Sequence, residues 1–81
     1  MNPERLQLKG MLVEAKKTFR TLDTEASGLI LILRSLLNPY EEVMSIDTEK
    51  CIVHIQRLHE ITQAMKEFKE KIKNLEAEFE Q

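Results

Sequence analysis

The sequence contains no tryptophan, one cysteine, two glycines and two prolines among its 81 residues. Because Cys51 is the only cysteine, the chain cannot form the internal disulfides on which small secreted domains usually depend. The segment Met1 to Arg5 also lacks the charged and then apolar layout of a secretory leader. These absences predict a reducing, cytoplasmic location. So few glycines and prolines leave little material for turns, which favours long helices.

A long apolar run is also missing. The longest, Leu29 to Leu33, ends at Arg34, far short of the roughly 20 residues that span a bilayer. No membrane partner is therefore predicted. Neither sign of charge dominates, since 12 Lys and Arg stand against 14 Asp and Glu, for a formal net charge of -2. A general affinity for nucleic acid needs a net basic surface, so the composition argues against such a partner.

Helix boundaries can be read from a few polar residues and the prolines. Asn2 before Pro3 is a typical helix start, with Asn as the cap. Asn38 before Pro39 is a helix stop and is compatible with one short helical turn, and Asp47 is the next good cap. The sequence thus predicts one domain, residues 1–81, with a helix at about 3–37, a linker at about 38–47 and a helix at about 48–79.

Apolar residues recur at alternating spacings of three and four along both predicted helices. In the first helix this seam is Leu8, Leu12, Ala15, Phe19, Leu22, Ala26, Leu29, Leu33 and Leu36. In the second helix it is Cys51, His54, Leu58, Ile61, Met65, Phe68, Ile72, Leu75 and Phe79. Such heptad seams are typical of coiled coils, and a fold near residue 43 makes the numbers of facing positions sum to about 87. The sequence therefore predicts an all-α fold, an antiparallel two-helix coiled-coil hairpin.

Gly28 lies inside the first predicted helix, where a glycine costs roughly 1 kcal/mol relative to alanine. One interpretation is a tolerated glycine on the outer face of a continuous helix. The alternative is a kink or break that turns residues 29–37 into a separate short helix and makes a three-helix arrangement.

A second apolar surface is predicted at the tip of the hairpin, outside the seams. Its residues are Ile30, Leu31, Ile32, Leu37, Tyr40, Val43, Met44, Ile46, Ile52, Val53 and Ile55. The half near the free ends is expected to be polar outside its seams. An exposed patch of this extent on a monomer indicates an interaction surface. The residues predicted to form the partner or dimer interface are Ile30, Ile32, Leu37, Ile52 and Ile55.

Three occupants of this surface are compatible with the sequence. The favoured one is a second copy of the chain, which would give a homodimeric four-helix bundle with two-fold symmetry. The second is an amphipathic helix of another protein, received in a groove. The third is the linker, folding back over the patch.

Nothing in the sequence predicts catalysis, a cofactor or a metal. Cys51 and His54 share one helical face, but His59 points elsewhere, so a tetrahedral zinc site is incomplete. A Gly-rich phosphate loop, an inward Glu-x-x-His pair and a supported nucleophile are all missing. The predicted function is a non-catalytic interaction module, such as a small adaptor, chaperone or assembly factor. The alternative is a regulatory protein that contacts nucleic acid through a diluted basic patch of Lys16, Lys17, Arg20, Lys66 and Lys73.

Overall fold

The computed structural model describes residues 3–80, and within that range it contains two long helices and no strand. Helix α1 spans Pro3–Leu36, and helix α2 spans Thr48–Glu80. A short 3₁₀ turn, Val43–Ser45, lies in the connection between them. The all-α prediction is therefore confirmed, and both helices begin and end within one residue of the expected positions.

Hydrogen bonds at the connection end one helix and start the other. The Leu37 N–H donates to the Leu33 carbonyl at 2.9 Å, which closes the last turn of α1 before Pro39. The Asp47 carboxylate accepts a hydrogen bond from the Lys50 N–H at 3.0 Å. Asp47 is thus the cap of α2, as its position in the sequence predicts, because it satisfies an N–H that has no partner within the helix.

The connection contains two turns rather than one. The Glu41 N–H donates to the Asn38 carbonyl at 3.2 Å, and the Tyr40 N–H donates to the Asn38 side-chain oxygen at 3.0 Å. The turn expected from Asn38 onwards is therefore present, and the 3₁₀ turn Val43–Ser45 follows it. The predicted cap of α1, Asn2, lies outside the described residues.

The two seams form the core of the molecule. All eighteen seam residues are buried or half-buried. The central cluster consists of Ala26, Leu29 and Ile61, with Leu22, Leu58 and Met65 packed against it. Facing members of this cluster, such as Ala26 and Ile61, have numbers that sum to about 87, the antiparallel register that the heptad pattern predicts. The chain is thus a helical hairpin, and Ile61, 1% exposed, is its most enclosed side chain.

Helix α1 runs through Gly28 without a break. Gly28 is exposed, and a Cβ added to it would meet nothing within 4 Å. The glycine on the outer face of a continuous helix is therefore the correct interpretation. The three-helix alternative is wrong, because residues on both sides of Gly28 belong to one seam and pack against one partner helix.

The hairpin measures 64 × 16 × 14 Å, so it is long and only one helix pair thick. We call residues 30–56 the tip, and residues 3–29 together with residues 57–80 the stalk. Neither helix, over residues 3–80, carries an apolar stretch long enough to cross a membrane. A shape this slender leaves most off-seam side chains in contact with solvent, which makes their chemistry the main feature of the surface.

Candidate interaction surface

The five residues predicted to form an interface all lie on the surface of the tip. Ile30, Ile32, Leu37, Ile52 and Ile55 are between 42% and 54% exposed. Each sits beside the seam rather than in it, so the packing of α1 against α2 covers only about half of the side chain. The helical geometry therefore leaves apolar area at the tip that the hairpin itself cannot bury.

The connection adds further apolar area to the tip. Tyr40, Val43 and Met44 are between 82% and 98% exposed, and of the apolar side chains expected to fold back from the linker only Ile46 is half-buried. The linker folding back over the patch is therefore wrong. The physical reason is that two tight turns bring the chain directly from α1 into α2, with no slack to reach back along the helices.

We define the tip surface as the ten exposed large apolar residues of the tip. They are Ile30, Leu31, Ile32, Leu37, Tyr40, Val43, Met44, Ile52, Val53 and Ile55. Together they expose on the order of several hundred Å², distributed around the tip, and that much exposed apolar area is unusual on a monomer. The tip surface is the most prominent candidate site on the described part of the chain.

The stalk is less polar than the sequence analysis expected. Leu6, Met11 and Val13, all near the free end of α1, are between 43% and 53% exposed. Sequence reasoning missed them because it considered only the seam of that segment and treated the remainder as solvated. The signal was present, since all three are large apolar residues outside the seam.

One ion pair joins the helices near the middle of the hairpin. The Arg57 guanidinium donates to both carboxylate oxygens of Glu25, at 2.6 and 2.9 Å, and lies 3.5 Å from a Glu60 oxygen. Its hydrogen bonds hold the pKa of the Glu25 carboxyl below its ordinary value, and the contact raises the pKa of Arg57. Because the pair is solvent-exposed, it selects the orientation of the helices more than it stabilises the fold.

Two further contacts tie the stalk together. The Lys16 ammonium lies 3.5 Å from a Glu76 oxygen, again across the two helices. The Arg5 guanidinium lies 4.4 Å from the centre of the Phe79 ring, a cation–π contact at the free end. The pairs Lys16–Glu76 and Glu25–Arg57 lie on opposite sides of the seam, because Lys16 follows the seam residue Ala15 whereas Glu25 precedes the seam residue Ala26.

The soft metal-ligand residues do not converge. Cys51 and His54 are half-buried in the seam, whereas His59 is exposed. Among residues 3–80, no group of three His, Cys, Asp or Glu side chains is arranged to hold a metal ion. Cys51 and His54 instead occupy ordinary packing positions near the tip, where a small thiol and an imidazole fill the seam.

The basic residues of the alternative function lie on the stalk. Lys16, Lys17, Arg20, Lys66 and Lys73 are all exposed. Lys16 is engaged with Glu76, so part of this positive charge is neutralised within the chain. The structure thus places all five on the surface of the stalk, with the charge of one of them compensated.

No protein-family model, no curated protein and no solved structure matches this chain.

Proposed function

We propose that the protein is a non-catalytic interaction module that acts through the tip surface. The observation that carries the proposal is the contrast between the two sets of apolar residues. The seam residues are buried or half-buried by the helix pair, whereas the tip surface is between 42% and 98% exposed. Exposing that much apolar area to water is unfavourable by roughly 25 cal/mol per Å², so a protein contact that covers it is stabilised.

The favoured occupant of the tip surface is a second copy of the chain. Two hairpins that pack through their tips would form a bundle of four helices, in which each helix buries a second apolar stripe. We also infer that the helices within each hairpin wind around each other as a coiled coil, since the seam repeats every 3.5 residues over nearly their whole length. Such an assembly suits an adaptor, a small chaperone or an assembly factor.

This function requires no catalytic group and no cofactor. The single thiol, on half-buried Cys51, fits a reducing compartment, and we propose the cytoplasm. The nucleic-acid alternative is less well supported, because Lys16 is paired with Glu76 and the chain as a whole carries a net charge of -2. A gel-shift assay with a short duplex at physiological salt would distinguish the two functions, since only the alternative predicts a shift.

Light scattering on the purified chain at micromolar concentrations tests the proposal. We expect the native chain to associate and the double variant Ile32→Glu/Ile55→Glu to be monomeric. Both residues are about half exposed, so helix content measured by circular dichroism should not change. A suitable control is Gln56→Glu, which adds one negative charge, against two in the double variant, at an exposed polar position of the tip. A native chain that stays monomeric, or a variant that loses its helices, would contradict the proposal.

A further inference from the structure

Two ion pairs between the helices, both within residues 3–80, define two sides of the hairpin. One pair is Lys16–Glu76 and the other is Glu25–Arg57. Residues seven apart keep the same offset from the seam, which is buried or half-buried along both helices, so steps of seven from each residue stay on its side. We call these the Lys16 side and the Glu25 side, and each includes the neighbouring row of residues further from the seam.

The stalk carries opposite charge on its two sides. The Lys16 side of the stalk has six basic residues and three acidic ones, Asp23, Glu76 and Glu80, for a net charge of +3. The six are Lys9, Lys16, Arg20, Lys66, Lys69 and Lys73. The Glu25 side of the stalk has two basic residues, Arg57 and Lys71, and six acidic ones, for a net charge of -4. The six are Glu4, Glu14, Glu25, Glu60, Glu67 and Glu78.

The tip carries apolar residues on both sides. Steps of seven from Lys16 reach Ile30 and Leu37, and steps of seven from Glu76 reach Ile55. Ile30 and Leu37 line one shallow groove, which agrees with this placement. Ile52 lies one turn from Ile55 on the same side. Four of the five predicted interface residues therefore belong to the Lys16 side.

The fifth predicted interface residue belongs to the other side. Ile32 lies seven residues after Glu25, and Val53 lies four residues before Arg57 in the adjoining outer row. The Glu25 side therefore also offers two exposed apolar residues at the tip. Each side thus has a mainly apolar tip and a charged stalk, and the stalks have opposite sign. Each tip also carries one basic residue, Arg34 on the Lys16 side and Lys50 on the Glu25 side.

From this polarity we propose that the Lys16 side of one hairpin packs against the Glu25 side of the next, with the two tips aligned. This deepens the proposed function, on which it rests, by naming how the second copy sits. With the tips aligned, Ile30 lies level with Ile32 of the next copy, and Ile55 lies level with Val53 of the next copy. A stalk of +3 then faces a stalk of -4.

A two-fold dimer lacks this complementarity. A two-fold axis along the hairpin brings two stalks of like charge together, and a two-fold axis across the hairpin lays the apolar tip of each copy on the charged stalk of the other. A two-fold dimer in which only the tips overlap would avoid the charged stalks, but it would bury only about half of the contact area. A full side of the hairpin, 64 Å by about 16 Å, offers roughly 1,000 Å², whereas a stable interface uses about 800 Å² per partner. Only full-length contact reaches that size.

Contact between unlike sides has a consequence for the size of the assembly. The first copy keeps a free Glu25 side and the last copy keeps a free Lys16 side, so further copies can add. Such a heterologous interface closes into a ring or continues as a filament, depending on the rotation between copies. We therefore expect species larger than a dimer as the concentration rises.

Two variants, each blocked on one side, test this arrangement. The Lys16-side variant is Ile30→Glu/Ile55→Glu, and the Glu25-side variant is Ile32→Glu/Val53→Glu. All four residues are between 42% and 63% exposed, and circular dichroism checks that both variants keep their helices. Each variant alone should be monomeric over the range in which the native chain associates. An equimolar mixture, one variant labelled with nitrogen-15, should form a 1:1 heterodimer in native mass spectrometry, since one intact side of each kind remains.

The outcomes separate this inference from the proposed function. A Glu25-side variant that still forms a homodimer as readily as the native chain would show a two-fold contact through the Lys16 side, which overturns the inference and leaves the proposed function standing. A native chain that is monomeric throughout overturns both. Salt gives a second measure, because attraction between unlike stalks weakens when the salt concentration rises from about 50 to about 500 mM. Association that strengthens with salt would overturn the inference.

Discussion

Replacing Ile61 by alanine should remove a large part of the stability of the hairpin. Ile61 is 1% exposed and packs against Ala26 and Leu29. The substitution removes three carbon atoms, worth about 0.8 kcal/mol each on transfer from water, and leaves a cavity beside a small alanine. We therefore expect the free energy of unfolding to fall by about 2–5 kcal/mol. A domain of this length is stable by only about 4–12 kcal/mol, so the change is easily measured.

The matched control is Ile55→Ala, which makes the same chemical change at a residue that is 49% exposed. Because Ile55 is only half buried, about half of the transfer free energy is lost there and no cavity forms. We therefore expect the free energy of unfolding to fall by about 1 kcal/mol or less. Urea unfolding followed by circular dichroism gives both values. It should be repeated at two protein concentrations, because association stabilises the folded state and would add a concentration-dependent loss for Ile55→Ala alone. Equal losses for the two variants at low concentration would refute the division between seam and tip surface.

Two further predictions concern the surface of the helices. Gly28→Ala should raise the free energy of unfolding by about 0.5–1 kcal/mol, because alanine restricts the unfolded chain and its Cβ meets nothing within 4 Å. Gly10→Ala is the control at a similar site. A loss of stability for Gly28→Ala would show that α1 is strained there. The pKa of Glu25 is held below its ordinary value of 4.5 by hydrogen bonds from Arg57, so the stability from this pair is present above that pH and is lost as the pH falls through the lower folded value. A carboxyl titration of Glu25 followed by NMR checks the sign, and a midpoint at or above 4.5 would contradict the contact.

The helices and their register could be predicted because both depend on local, repeated signals. A spacing of three and four residues identifies the buried face of a long helix, and Asp47 marks where the second helix starts. Once the turn is placed near residue 43, antiparallel pairing of the seams follows from chain connectivity. The central pair of Ala26 and Ile61 was accessible in this way, because a small residue must face a large one for close packing.

The division of the surface into two sides was not reached from the sequence. Sequence reasoning separated residues in the seam from residues outside it, and it grouped Ile32 with Ile30 on that basis. The ion pairs Lys16–Glu76 and Glu25–Arg57 show which off-seam rows of α1 and α2 share a side. The same division was within reach of the sequence, because a residue's offset from the seam gives its side in an antiparallel pair, but sequence reasoning used the heptad only to separate seam residues from the others. The exposed Leu6, Met11 and Val13 escaped notice for the same reason.

The core of this hairpin and its proposed association surface consist of separate residues. The cluster around Ile61 lies in the stalk half of α2 and needs no contribution from the tip surface. We therefore expect substitutions at the tip surface to change the state of assembly at little cost to the monomer, and seam substitutions to affect both. A chain of 81 residues with a single narrow core has little stability to spare, so burial of the tip surface by a second copy would also protect the fold. The proposed contact between copies would thus serve both the function and the stability of the chain.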